Sequence, residues 1–86
     1  MKIRIPNRIN LPYGYTIIIK NSSPDEMIEV FKTADIEAGW NVMEKTIYLD
    51  RTLPLRKRRY LLTHEVMHAV VDWQAEILDT VHAEVK

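Results

Sequence analysis

The sequence predicts an α+β domain in which a small antiparallel sheet of about three strands packs on one long helix. Three observations predict it. The first half of the 86 residues carries short β-branched and alternating apolar runs separated by turn signals. Residues 35–50 read as a β-hairpin. From Leu55 to Lys86 there is neither glycine nor proline, and apolar residues recur there at helical spacing.

Taken in order, Ile3 and Ile5 alternate with charged residues until Pro6-Asn7 interrupts, and Pro12-Tyr13-Gly14 marks a turn. Tyr15 to Lys20 contains Ile17-Ile18-Ile19, a β-branched run suited to a buried strand. Asn21-Ser22-Ser23-Pro24-Asp25 is turn chemistry. The next segment, to Lys32, is open between two states. Ser23 and Glu26 form a capping box for a short helix, whereas Ile28, Val30 and Phe31 also suit a strand. Ile36, Ala38, Trp40 and Val42 have the period of a half-buried strand, with Gly39 permitting close backbone approach. A turn follows, and Thr46 to Asp50 returns as the second hairpin strand. Thr52 is a candidate N-cap, and Pro54 suits a first helical turn. Leu62, Val66, Ala69, Val70, Trp73 and Ile77 then form one apolar stripe. At about 100° per residue, His64, Glu65, His68 and Asp72 fall in a separate sector. Trp40, Trp73, Tyr48 and Tyr60 read as packing residues.

Composition narrows the function classes. The length allows one domain, residues 1–86. The absence of cysteine excludes disulfides and thiolate metal sites and fits a cytoplasmic protein. Lys plus Arg and Asp plus Glu both total 12. Zero net charge gives no long-range attraction to nucleic acid or an anionic membrane. Arg56-Lys57-Arg58-Arg59 does not change this, because consecutive helical residues point in different directions. No apolar run approaches a membrane span, and no apolar stretch follows the basic start to make a signal peptide.

The most informative stretch is His64-Glu65-Val66-Met67-His68, which reads H-E-x-x-H. Residues four apart share a helix face, so both imidazoles reach one metal ion from one side. Glu65 points to the neighbouring sector, where its carboxylate can take a proton from a metal-activated water. This is the zincin signature, and the ion it calls for is Zn2+. Tyr60, Leu61, Leu62, Val66, Met67, Ala69, Val70, Val71 and Trp73 surround the motif. They predict a site embedded in apolar structure, where unpartnered polar groups would be costly and a metal would satisfy them.

Residues 38–73 resemble the small zincin-like proteins of phages and mobile elements, akin to minigluzincins and the ImmA/IrrE-type peptidases. The likeness rests on Gly39 in a strand, Ile47-Tyr48-Leu49-Asp50 as the next strand, Leu53-Pro54 opening a helix, and the H-E-x-x-H core. The resemblance implies a small twisted sheet on the motif-bearing helix, with His64 and His68 as metal ligands and Glu65 as general base. It also implies that the strand at Ala38, Gly39 and Trp40 is an edge that binds an extended polypeptide by strand addition.

Catalytic zinc normally takes three protein ligands and water. Asp72 is one turn beyond His68 and is expected to orient that ring through its other nitrogen. Residues 55 to at least 74 are expected to form one unbroken helix. That would carry Glu76 about 12 Å along the axis from His68 and rotate it by about 80°. His82 and Glu84 would need a reversal around Leu78-Asp79-Thr80. A partner chain in a homodimer, an anion or water are the remaining sources of a third ligand. Two functions follow. One is zinc-dependent peptide-bond hydrolysis with Glu65 as base. The other is a non-catalytic zincin-fold module that binds a protein partner, as in a phage or mobile-element regulator, with a structural or vestigial metal.

Overall fold

The structure, a computed structural model, describes residues 4–84, with side chains up to Asp79. Two strands, β1 (Arg8–Leu11) and β2 (Tyr15–Ser22), precede the short helix α1 (Pro24–Phe31). The strands β3 (Ala38–Asn41) and β4 (Thr46–Asp50) follow, and the long helix α2 (Leu55–Glu84) ends the chain of elements. The strands form one sheet in the order β1-β2-β4-β3. This is α+β, as expected, but the sheet has four strands and is mixed. β2 pairs with β4 in parallel, Ile19 opposite Ile47, while β1–β2 and β3–β4 are antiparallel. The parallel pair arises because α1 carries the chain across one sheet face before β3. A two-residue hairpin could only have returned it antiparallel.

The strand missed in the sequence is β1. It follows Pro6-Asn7, because the turn at Pro12-Tyr13-Gly14 pairs Leu11 with Tyr15 and so fixes Arg8 to Leu11 on β2; Ile3, in the alternation before Pro6, lies outside the described residues. Tyr13 and Gly14 both adopt left-handed backbone there, with φ of 69° and 74°. In the open segment the helix wins. Ser23 Oγ accepts the Glu26 N–H at 3.2 Å, Pro24 begins the first turn, and Lys32 ends the last in left-handed backbone. The expected hairpin forms: Lys45 N–H donates to Val42 O at 3.3 Å, and Asn41 Oδ1 accepts the Glu44 N–H at 3.1 Å.

Strand alternation sorts side chains to two faces. Tyr15, Ile17, Ile19, Ile47 and Leu49 are buried toward α2 with its Leu62 and Ala69, and Ile9, Trp40, Val66 and Trp73 pack around them. The opposite face carries Tyr48, which meets Phe31 of α1 edge to face at 5.6 Å. β4 is thus covered on both sides, and all five of its residues are buried. The Tyr48 hydroxyl donates to Glu44 Oε1 at 2.7 Å, and that bond, with burial second, pushes its pKa up to about 12.

Thr52 does not cap α2. Its N–H and hydroxyl both donate to Asp50 Oδ1, at 2.9 and 2.7 Å, which closes the turn out of β4. Pro54 O receives the first helical bond, from Arg58 N–H at 3.0 Å, so α2 starts one residue later.

Gly39 is required by packing. A Cβ at this position would stand 2.7 Å from Phe31 Cε1, well inside contact distance. Gly39→Ala is therefore expected to destabilise the fold by about 1–3 kcal/mol, the usual range for overpacking. Urea unfolding checks it. Phe31→Leu in the Gly39→Ala background should recover part of the loss if the ring is the cause.

Candidate metal centre

α2 runs unbroken through the H-E-x-x-H motif, and its phase decides what each motif residue meets. Ala69 is fully buried and Leu62 nearly so, which points the centre of the helix's inner face at the sheet. At about 100° per residue, His68 lies roughly 100° from Ala69 and His64 roughly 140°. Both histidines are exposed, and Glu65 is half-buried.

The apolar setting inferred around the motif is only partly present. Val66 and Ala69 face the core, but Met67 and Val71 are 65% and 62% exposed. Tyr60, expected to pack, is also on the outside. Their azimuths lie opposite Leu62, where no element covers α2 among the described residues. Burial therefore does not force the histidines to find a partner.

Their geometry nevertheless converges. Nε2 of His64 and Nε2 of His68 stand 3.2 Å apart, with the rings edge to face at 4.9 Å. Two nitrogens on a tetrahedral zinc with bonds of 2.0–2.1 Å are separated by about 3.3 Å. The pair therefore fits two vertices of such a shell without rearrangement. The same distance also suits an N–H···N hydrogen bond between two neutral rings. Among the described residues no group of three His, Cys, Asp or Glu side chains could hold a metal ion. Glu76 is eight residues along the unbroken helix and pairs with Lys45 at 3.7 Å. The side chains of His82 and Glu84 lie outside the described residues.

Asp72 departs from its expected role. Its Oδ2 accepts the indole N–H of Trp40 at 2.6 Å, so it ties α2 to β3 instead of orienting His68. The reason is azimuth: four residues past His68 the helix has turned about 40° further toward the sheet, and a short carboxylate there meets the strand first. Tyr15 lies beneath the same flank. Burial, then the Glu76 and Asp72 carboxylates, raise its pKa above the ordinary tyrosine value, and Lys45 Nζ sits 4.3 Å from its ring centroid. This flank is a polar lock between helix and sheet.

Glu65 lies seven residues before Asp72, two turns away and within about 20° of the same azimuth. It therefore occupies the flank of α2 that meets β3. β3 is an edge strand, as expected. Asp50 N–H donates to Glu37 O at 2.9 Å, and bonded pairs alternate along an antiparallel ladder. Gly39 thus turns its backbone groups to Tyr48, while Ala38 and Trp40 present theirs to the open edge. Arg56 to Arg59 diverge, as expected: Lys57 pairs with Glu37 at 3.0 Å, and Arg58 reaches Leu53 O and Asn21 Oδ1, each at 3.0 Å. Among the described residues no helix is long and apolar enough to cross a membrane.

Comparison with protein families, with curated proteins and with solved structures finds no match to this chain.

Asp72→Ala leaves the half-buried Trp40 indole without its acceptor. It should cost about 1.5 kcal/mol in chemical denaturation, the low end for a hydrogen bond to a charged group. Zinc affinity should change less than about threefold. A large loss of zinc affinity with unchanged stability would instead assign Asp72 to His68, because removing a residue that orients a ligand costs about 10–100-fold.

Proposed function

We propose that this protein is a zinc-dependent peptidase acting on an extended polypeptide. The observation that carries the reading is the convergence of the two Nε2 atoms at 3.2 Å, with Glu65 on the adjoining flank. A zinc ion held by His64 and His68 would supply Lewis acidity, bringing the pKa of water toward neutrality. The chain's own residues do the remaining work. Glu65, half-buried beside the pair, takes the proton of the attacking water at a carboxylate oxygen and returns it to the leaving amine. Ala38 and Trp40 offer backbone N–H and C=O groups to a substrate strand along β3. The Trp40–Asp72 bond sets that edge four residues from His68, about 6 Å along α2.

A second reading, a non-catalytic zincin-fold module that binds a protein partner, is favoured by one observation. Only two protein donors converge among the described residues, and both are solvent-exposed.

Glu65→Gln separates the two. It keeps shape but cannot accept the proton, so peptide-library cleavage should fall by about 10²–10⁴-fold while zinc binding and melting temperature stay unchanged. Equal cleavage by both proteins removes Glu65 from the mechanism. Zinc binding without cleavage in either form, each assayed as a zinc-loaded monomer, establishes the binding module.

A further inference from the structure

The outward face of α2 is the least explained surface of the molecule. Tyr60, Met67, Val71 and Leu78 are 73%, 65%, 62% and 57% exposed. With His64 and Gln74 they occupy positions 60, 64, 67, 71, 74 and 78. The spacing alternates four and three, which is the a/d repeat of a coiled-coil seam. His64 sits inside the seam, and His68 lies on its shoulder about 40° further round.

We propose that this seam joins two copies of the chain, crossing antiparallel at the level of His64 and His68, so that the pair's four imidazoles hold one zinc ion. Donor count is the first reason. Each chain sets two Nε2 atoms 3.2 Å apart, half of a tetrahedral shell, and a copy related by a two-fold axis supplies the other half. In an antiparallel pair the same shoulder of both helices falls on one side of the interface, so both His68 rings reach that axis.

The helix dipole is the second reason. An antiparallel crossing opposes the dipoles of the two α2 helices, whereas a parallel crossing would align them.

Shape is the third. A crossing centred between His64 and His68 places Leu78, twelve residues after Val66, beside Pro54 of the second copy, twelve residues before it. A groove of about 400 Å³ lies there, lined by Pro54, Arg56, Lys57 and Tyr60. Val71 arrives beside Tyr60, at a second groove of about 250 Å³ lined by Tyr60, Thr63, His64 and Met67.

The assembly follows from the seam and the donors alone; its consequence for hydrolysis rests on the function proposed above. Four imidazoles complete the closed type of zinc shell, with no position for water. The dimer is then the shut form of the site.

Sedimentation of zinc-loaded protein, with metal content measured in the same samples, tests this. A dimer holding about one zinc per two chains is expected, and a chelator should weaken association by at least about tenfold, as mass-action linkage requires. Val71→Glu, an exposed position, should keep the circular dichroism spectrum but sediment as a monomer. His64→Ala should lose the zinc dependence of association. A zinc-loaded monomer at tens of micromolar, or one zinc per chain in the dimer, overturns the proposal. So does association insensitive to His64→Ala. Mass and stoichiometry do not depend on cleavage. A zinc-bridged dimer whose Val71→Glu monomer cleaves nothing refutes the peptidase and leaves the assembly standing. Cleavage by a zinc-loaded wild-type monomer does the reverse.

Discussion

Ala69 is fully buried against the sheet, and its small side chain fixes which way the rest of α2 points. Leu62 and Ala69 lie two turns apart on nearly one azimuth, and Val66 and Trp73 flank them. A larger residue at Ala69 would push the helix off Ile17, Ile19, Ile47 and Leu49. Once that phase is set, every other role on the helix is an angle. Asp72 and Glu76 fall toward β3 and the β3–β4 turn, where Trp40 and Lys45 receive them. Glu65 falls on the same flank further along. The two histidines lie beyond it, toward solvent.

This placement separates two demands that an embedded site would join. A buried imidazole pair would need a partner to offset desolvation. An exposed pair bears little such cost, and its value lies in pre-set spacing alone. The helix supplies that spacing through four residues of rise and rotation, and the sheet supplies the rigidity that holds the helix. The sheet also brings an open strand edge to the same flank, because β4 is central and β3 is left outermost.

Much of this was legible in the sequence. The alternation of Ile36, Ala38, Trp40 and Val42, followed by a turn and the returning run Thr46 to Asp50, gave the hairpin, because a half-buried strand must repeat every two residues. The stripe from Leu62 to Ile77 gave the buried flank of α2, and the lack of glycine or proline gave its continuity. Other features depend on tertiary context. The parallel β2–β4 pair needs α1 to cross the sheet, and the segment that became α1 was locally compatible with a strand. Arg8 to Leu11 is a strand because β2 offers it an edge; its own residues carry little β signal. Asp72 was assigned to His68 by its i+4 spacing, which ignores the indole N–H that reaches it from residue 40. Apolar neighbours of the motif do not by themselves mean burial: Tyr60, Met67 and Val71 share an outward azimuth and are exposed. Their spacing is visible in the sequence and marks a second face of the helix.

Everything proposed for the site rests on His64 and His68 acting as one chelating pair through their Nε2 atoms. Nitrogen-15 NMR of histidine-labelled protein, titrated with zinc, reads those atoms directly. The account predicts that the Nε2 resonances of both residues shift together to values typical of metal ligation and that neither Nδ1 does. Zinc that leaves both Nε2 atoms unshifted, or that binds through one ring only, would contradict it.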